Sequence, residues 1–155
     1  MRGKLAGEIK QTKAWSSLEE EVALNVQRTA AVLEQALEET LKPHGITATQ
    51  YNALRIVRGA GQAGIPCHEA GTRLIRSEPD LTRLFDRLET RGLVLRSRST
   101  EDRRLVFVRL SPDGIKLLGS LDEVVTELHK KTLGPLGDRK LRQLRELSEE
   151  ARNFD

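Results

Sequence analysis

The chain is short of the residues that usually staple or furnish a small protein. It holds one cysteine, Cys67, in 155 residues. No intrachain disulfide can form, so stability must come from packing. Aromatics are 3% of the sequence, which leaves a core of aliphatic side chains. There is no run of about eighteen apolar residues and no N-terminal apolar h-region, so neither a spanning helix nor a secretory signal is legible. A soluble, cytoplasmic protein with no membrane partner is expected. One cysteine beside one histidine, Cys67-His68, falls short of a metal site. No nucleophile elbow, paired-carboxylate pattern or phosphate-cradling loop occurs. The stretch Gly59-Ala60-Gly61-Gln62-Ala63-Gly64 follows a helical pattern, not a strand, and so is rejected as a nucleotide site. The expectation is a protein that is not an enzyme and takes no cofactor.

Lysine is also missing, but only from the middle of the chain. None occurs between Lys42 and Lys116, where the basic residues are all arginines, from Arg55 to Arg109. GC-rich coding would favour arginine too, yet it leaves the lysines at both ends unexplained. Net charge is only +3, so the distribution carries more information than the total. Arginine presents a planar, bidentate donor fork suited to phosphates and guanine edges. Four of these arginines crowd one turn, in Arg96-Ser97-Arg98-Ser99-Thr100-Glu101-Asp102-Arg103-Arg104, with strand-like residues on either side.

The elements around that turn give it a place. Residues 1–16 are polar and basic and are expected to form a mobile arm. Two capping boxes, Ser16-x-x-Glu19 and Ser17-x-x-Glu20, precede apolar residues at helical spacing, which predicts a helix over 17–42. Thr47-x-x-Gln50 caps a second helix that ends near Gly59. Gly64-Ile65-Pro66 is expected to be an extended link, and His68 to Ile75 a short third helix. Ser77-Glu78-Pro79-Asp80 is taken as the start of a fourth helix with proline near its first turn, and Gly92 as its stop. In that helix Leu81, Leu84, Phe85 and Leu88 form an apolar stripe, and Thr82, Arg83, Asp86, Arg87 and Thr90 lie opposite. Residues 93–98 and 105–110 alternate as strands. Ser111 caps a fifth helix that runs to about Thr132, and a sixth covers about 138–152. Four helices, a two-stranded ribbon and two helices describe a mainly α, winged helix-turn-helix chain: six helices plus a β-hairpin wing.

The run Leu81-Thr82-Arg83-Leu84-Phe85-Asp86-Arg87-Leu88-Glu89-Thr90-Arg91-Gly92-Leu93-Val94 resembles the recognition-helix signature of MarR-family transcriptional regulators. Asp102-Arg103-Arg104, followed by Leu110-Ser111-Pro112-Asp113-Gly114, resembles that family's wing and the start of its fifth helix. Tyr51-Asn52-Ala53-Leu54-Arg55-Ile56 resembles its second helix. The likeness covers about residues 17–152. It implies a winged DNA-binding lobe over 46–110, and dimerisation helices over 17–45 and 111–153 within one unit, 17–155. A sequence-specific regulator follows, mostly a repressor, that binds double-stranded DNA at a pseudo-palindromic operator as a homodimer and is released by a small lipophilic or phenolic effector. Peroxide-sensing members carry a reactive cysteine near the start of the first long helix. This chain has none there.

Matched to the family motif, the DNA-binding set is Ser77, Asp80, Thr82, Arg83, Arg87, Arg98, Asp102, Arg103 and Arg104. Arg83 is expected at a base edge. Thr82 and Ser77 are expected at a phosphate or thymine methyl, and Arg87 at a phosphate or paired with Asp86 or Glu89. Arg104 is expected in the minor groove, with Asp102 holding the wing tip or that arginine, and Arg98 and Arg103 at phosphates. Trp15, His44 and Tyr51 are candidate effector contacts, each with a competing structural role in packing or at a helix end. The competing function is a winged-helix module for protein contacts without specific DNA binding. The arginine-rich wing weighs against it.

Overall fold

This computed structural model describes residues 3–153, which fall into two units, Met1–Ala36 and Leu37–Asp155. In the first unit, the expected arm contains one helical turn, α1 (Leu5–Glu8), with Leu5 buried. Most of α2 (Leu18–Leu41) belongs to this unit. Of the two capping boxes, Ser17 is the one used at the helix start. Its Oγ accepts the Glu20 N–H at 3.2 Å, while the Glu20 carboxylate accepts the Ser16 N–H at 2.6 Å. Within the same unit, Arg28 of α2 lies 3.8 Å from Glu8 of α1.

The second unit begins at the last residues of α2 and holds the winged lobe. Helix α3 (Ala48–Gly59) opens with the full capping box of Thr47 and Gln50. Its buried face includes Tyr51, Ala53, Leu54 and Val57. Next comes β1 (Ile65–Pro66), where only a link was expected. It pairs antiparallel with β3 (Val106–Leu110), Ile65 opposite Val108. Two residues are too few for any alternation to register in sequence, and proline is tolerated because the strand sits at the sheet edge. Helix α4 (Cys67–Thr72) ends three residues before the expected Ile75.

Helix α5 (Leu81–Thr90) starts later than expected. Asp80 is its N-cap, accepting the Arg83 N–H at 2.9 Å, so Ser77, Glu78 and Pro79 lie in the preceding turn and not in the helix. Aspartate and serine are about equally good caps, so the sequence by itself does not choose between Ser77 and Asp80. At the other end the Gly92 N–H reaches Glu89 O at 2.8 Å and the Leu93 N–H reaches Leu88 O at 3.0 Å. That pair of bonds is a Schellman cap, and it requires the positive φ of 70° that Gly92 adopts. Strand β2 (Val94–Arg98) then pairs with β3, giving the antiparallel order β1-β3-β2.

Helix α6 (Pro112–Leu133) is anchored at its first turn. Ser111 Oγ accepts the Gly114 N–H at 2.9 Å and donates to Gly92 O at 2.5 Å. A Cβ on Gly114 would stand 2.1 Å from Leu93 O, so only glycine permits this approach of α6 to the sheet. After a turn at Gly134–Leu136, α7 (Gly137–Glu150) closes the chain. Among the described residues there are thus six helices longer than one turn and a three-stranded sheet. The core of this unit gathers Leu54 and Val57 of α3, Phe85 and Leu88 of α5, Val94 and Val108 of the sheet, and Leu118 and Leu121 of α6.

Candidate nucleic-acid interface

Helices α4 and α5 form the helix-turn-helix, and the turn between them is held from outside. Asn52 of α3 accepts the Ile75 N–H at 2.9 Å. Helix α5 then buries Leu84, Phe85 and Leu88 and exposes Thr82, Arg83, Asp86, Arg87 and Thr90. The spacing that seats the apolar stripe necessarily turns the opposite face outward.

On that exposed face the charges are sorted. Arg96 of β2 reaches back to α5. Its Nη2 lies 2.5 Å from Asp86 and 2.6 Å from Glu89, and its Nε donates to Glu89 at 2.9 Å. These hydrogen bonds, to Glu89 first, raise the Arg96 pKa further above the ordinary guanidinium value. The expectation that Arg87 could pair with Asp86 or Glu89 is therefore not met, because Arg96 takes both carboxylates. Arg83 and Arg87 make no side-chain hydrogen bond or ion pair among the described residues.

The wing tip is built by local bonds. Ser99 Oγ accepts the N–H groups of Glu101 and Asp102, both at 3.2 Å, and the Asp102 carboxylate accepts the Arg104 N–H at 2.9 Å. The Leu105 N–H closes onto Asp102 O at 2.9 Å. Of its two expected partners, Asp102 thus holds the backbone of the tip and leaves the Arg104 guanidinium alone. Arg98, Arg103 and Arg104 are exposed, and no side-chain partner engages them among the described residues. Arg98 stands two residues beyond Arg96 and so shares its face of β2.

Two roles escaped the sequence reading. Arg96 was counted with the wing arginines but points inward, its side chain 22% exposed. Arg91, at the end of α5, donates to the carbonyls of Gly45 and His44 and ties the corner before α3 to the recognition helix. Neither pairing has a local signal, since the partners lie seven to 47 residues away.

Of the expected effector contacts, Tyr51 and His44 belong to the second unit and Trp15 to the first. Tyr51 is 5% exposed, packed in the core with the Arg55 guanidinium 5.8 Å from its ring centre. Burial, first among the causes, raises the Tyr51 pKa. His44 is half-buried in the turn after α2, and Trp15 is half-buried in the first unit. A crevice of about 420 Å³ opens between α3 and the start of α5, lined by Thr47, Gln50, Glu78, Asp80, Arg83 and Arg87 among others. Neither Tyr51 nor His44 lines it. Cys67 is half-buried, and burial, ahead of the opposing pull of Arg96, pushes its thiol pKa up. That disfavours the reactive thiolate.

Comparison with known proteins agrees with this layout. The sequence profile of the MarR family matches residues 46–106. A MarR transcription factor from Planctomyces limnophilus is 40% identical. The match covers 88% of this chain and 98% of that one, with a TM-score of 0.69. A mutant MarR from E. coli, solved with operator DNA, is 28% identical over 88% of this chain and 99% of its own, with a TM-score of 0.77. The homoprotocatechuate degradative operon repressor of Escherichia coli is 28% identical over 129 residues, 83% of this chain and 84% of that protein.

Proposed function

The chain belongs to the MarR family of DNA-binding transcriptional regulators, and from that premise we propose that it acts as a homodimeric repressor on a pseudo-palindromic operator. The observation that carries the proposal is a group of five exposed arginines gathered on the recognition face and the wing, whose side chains make no hydrogen bond or ion pair among the described residues: Arg83 and Arg87 on α5, and Arg98, Arg103 and Arg104 on the wing. A guanidinium without a carboxylate or carbonyl partner in the fold is available to phosphate. Five such cations on a helix-turn-helix and its adjacent ribbon match a helix in the major groove and a wing along the flank.

In this reading Arg83 reads a base edge and Arg87 a phosphate. Thr82 and Ser77 meet a phosphate or a thymine methyl. Arg104 enters the minor groove, and Arg98 and Arg103 lie on phosphates. Asp80 serves by capping α5, which orients the first turn, and Asp102 by shaping the wing tip. Two-fold assembly is supported by apolar side chains left uncovered outside the winged lobe. Leu18 (71% exposed), Val22 and Val26 (61%) recur every four residues on α2, and Leu144 and Leu147 stand out on α7. A dimer sets two recognition helices about 34 Å apart, one turn of DNA.

A small lipophilic or phenolic effector releases the DNA by favouring a helix separation that mismatches the groove. It shifts that equilibrium only by its differential affinity for the two states. The name of the E. coli relative, tied to a homoprotocatechuate degradative operon, is in keeping with a phenolic ligand class.

The test is a gel shift on the DNA upstream of the protein's own gene, across a salt series and against a scrambled duplex. A dimer neutralising about eight phosphates gives a slope of log affinity on log salt near −7. Preference for the native fragment should reach about a thousandfold. Light scattering at micromolar concentration should return the mass of two chains. Equal, weak binding to both duplexes would mean that the operator lies elsewhere or that the winged domain serves protein contacts.

A further inference from the structure

Arg96 occupies a position from which it can decide whether the recognition helix attracts or repels DNA. Helix α5 carries two carboxylates, Asp86 and Glu89, amid the cations that face outward. Asp86 follows Arg83 by three residues and precedes Arg87 directly, so it is a helical neighbour of the first and adjoins the second. Left alone, it would compete with phosphate for Arg83 and repel the backbone of any duplex laid on this face. One guanidinium on a different element prevents this. Arg96 holds Asp86 through Nη2 and Glu89 through both Nη2 and Nε, and its own side chain is half-buried, while the two carboxylates stay exposed at 52% and 41%.

The arrangement also fixes geometry. Glu89 supplies the backbone carbonyl that accepts the Gly92 N–H of the C-terminal cap of α5. Its carboxylate is held from β2, the strand that leads into the wing. Strand and recognition helix are therefore joined by charge as well as by packing.

We propose that Arg96 is a positioning residue for DNA binding: it neutralises and draws aside Asp86 and Glu89, which keeps Arg83 and Arg87 available, without itself contacting the operator. The proposal rests on the regulator reading above. It differs from a direct contact in one measurable way, because the value of Arg96 should depend on the two carboxylates. It differs from a purely structural role because the dependence appears in affinity and salt response, not in melting alone.

The experiment is a mutant cycle on the full chain. Four proteins are compared for binding to the native upstream fragment: the parent, Arg96→Met, Asp86→Asn/Glu89→Gln, and all three changes together. Methionine keeps the packed stem while removing the charge. With the carboxylates present, Arg96→Met should weaken binding about 10- to 100-fold, the scale of like charge set against phosphate. With them neutralised, the same change should cost about twofold or less, the range in which effects are additive. Melting of each protein is followed in parallel, and Arg96→Gln, which removes the charge but keeps a polar head for the half-buried site, takes the place of Arg96→Met should the latter not fold. Equal loss in both backgrounds, with specific binding by the parent intact, overturns the proposal and makes Arg96 an ordinary contact. A shift in melting with no change in affinity also overturns it. A parent that binds no duplex overturns the regulator reading and this proposal together.

Discussion

Arg58 and Arg83 are the same side chain on neighbouring parts of one lobe, and they meet opposite fates. At the seam between α3 and α6, Arg58 donates two parallel hydrogen bonds to Asp122, each 2.9 Å long. These bonds raise the Arg58 pKa and lower that of Asp122. On the outward face of α5, Arg83 engages nothing among the described residues, and the acid beside it has been drawn off by Arg96. The seam commits its arginine to the fold, whereas the recognition face reserves its arginines for something outside the molecule. An arginine-rich sequence alone does not make that distinction. The pairing does.

The two sides of α5 sharpen the comparison most. Phe85, 1% exposed beneath the recognition face, should destabilise the protein by about 3–5 kcal/mol when changed to alanine, as read by chemical denaturation. An effect below about 1 kcal/mol would mean that the recognition helix is not seated as described. Its neighbour Arg83 should behave in the reverse way. Arg83→Ala should cost about 1–3 kcal/mol of operator affinity and relax preference at one base pair, with an unchanged melting curve. Unchanged selectivity would remove Arg83 from the base edge.

The smallest effect belongs to the seam. Asp122→Asn should cost about 0.2–1 kcal/mol of stability at neutral pH, since the pair is largely exposed, and leave DNA binding untouched. Because Arg58 lowers the folded-state pKa of Asp122, the contribution is present above the ordinary carboxylate value and is lost as pH falls through the lowered one. Parent and variant should therefore converge in acid. A gap that persists at low pH would assign the loss to packing instead of charge.

Much of the fold could be read locally. Thr47 with Gln50 and Ser111 before Pro112 mark helix starts because a cap is made within three or four residues. The stripe of Leu84, Phe85 and Leu88 marks the buried face because helical periodicity is a property of the segment itself. The resemblance of the recognition helix and wing supplied the candidate site on the same local grounds. What escaped was non-local or very short. Strand β1 exists only because β3 lies beside it, and α5 begins at Leu81 with Asp80 as its cap, a choice that two near-equal capping residues leave open in sequence.

By itself, then, the sequence determined the order of helices and wing, the two-faced character of α5, and a concentration of arginine between Lys42 and Lys116. Only the tertiary structure decided which arginines are committed. Arg58 found Asp122 sixty-four residues away, Arg91 found the carbonyls of His44 and Gly45, and Arg96 found Asp86 and Glu89. Caps and periodicity depend on atoms a few bonds apart along the chain. Charge pairing depends on which elements the hydrophobic core has already brought within hydrogen-bond reach.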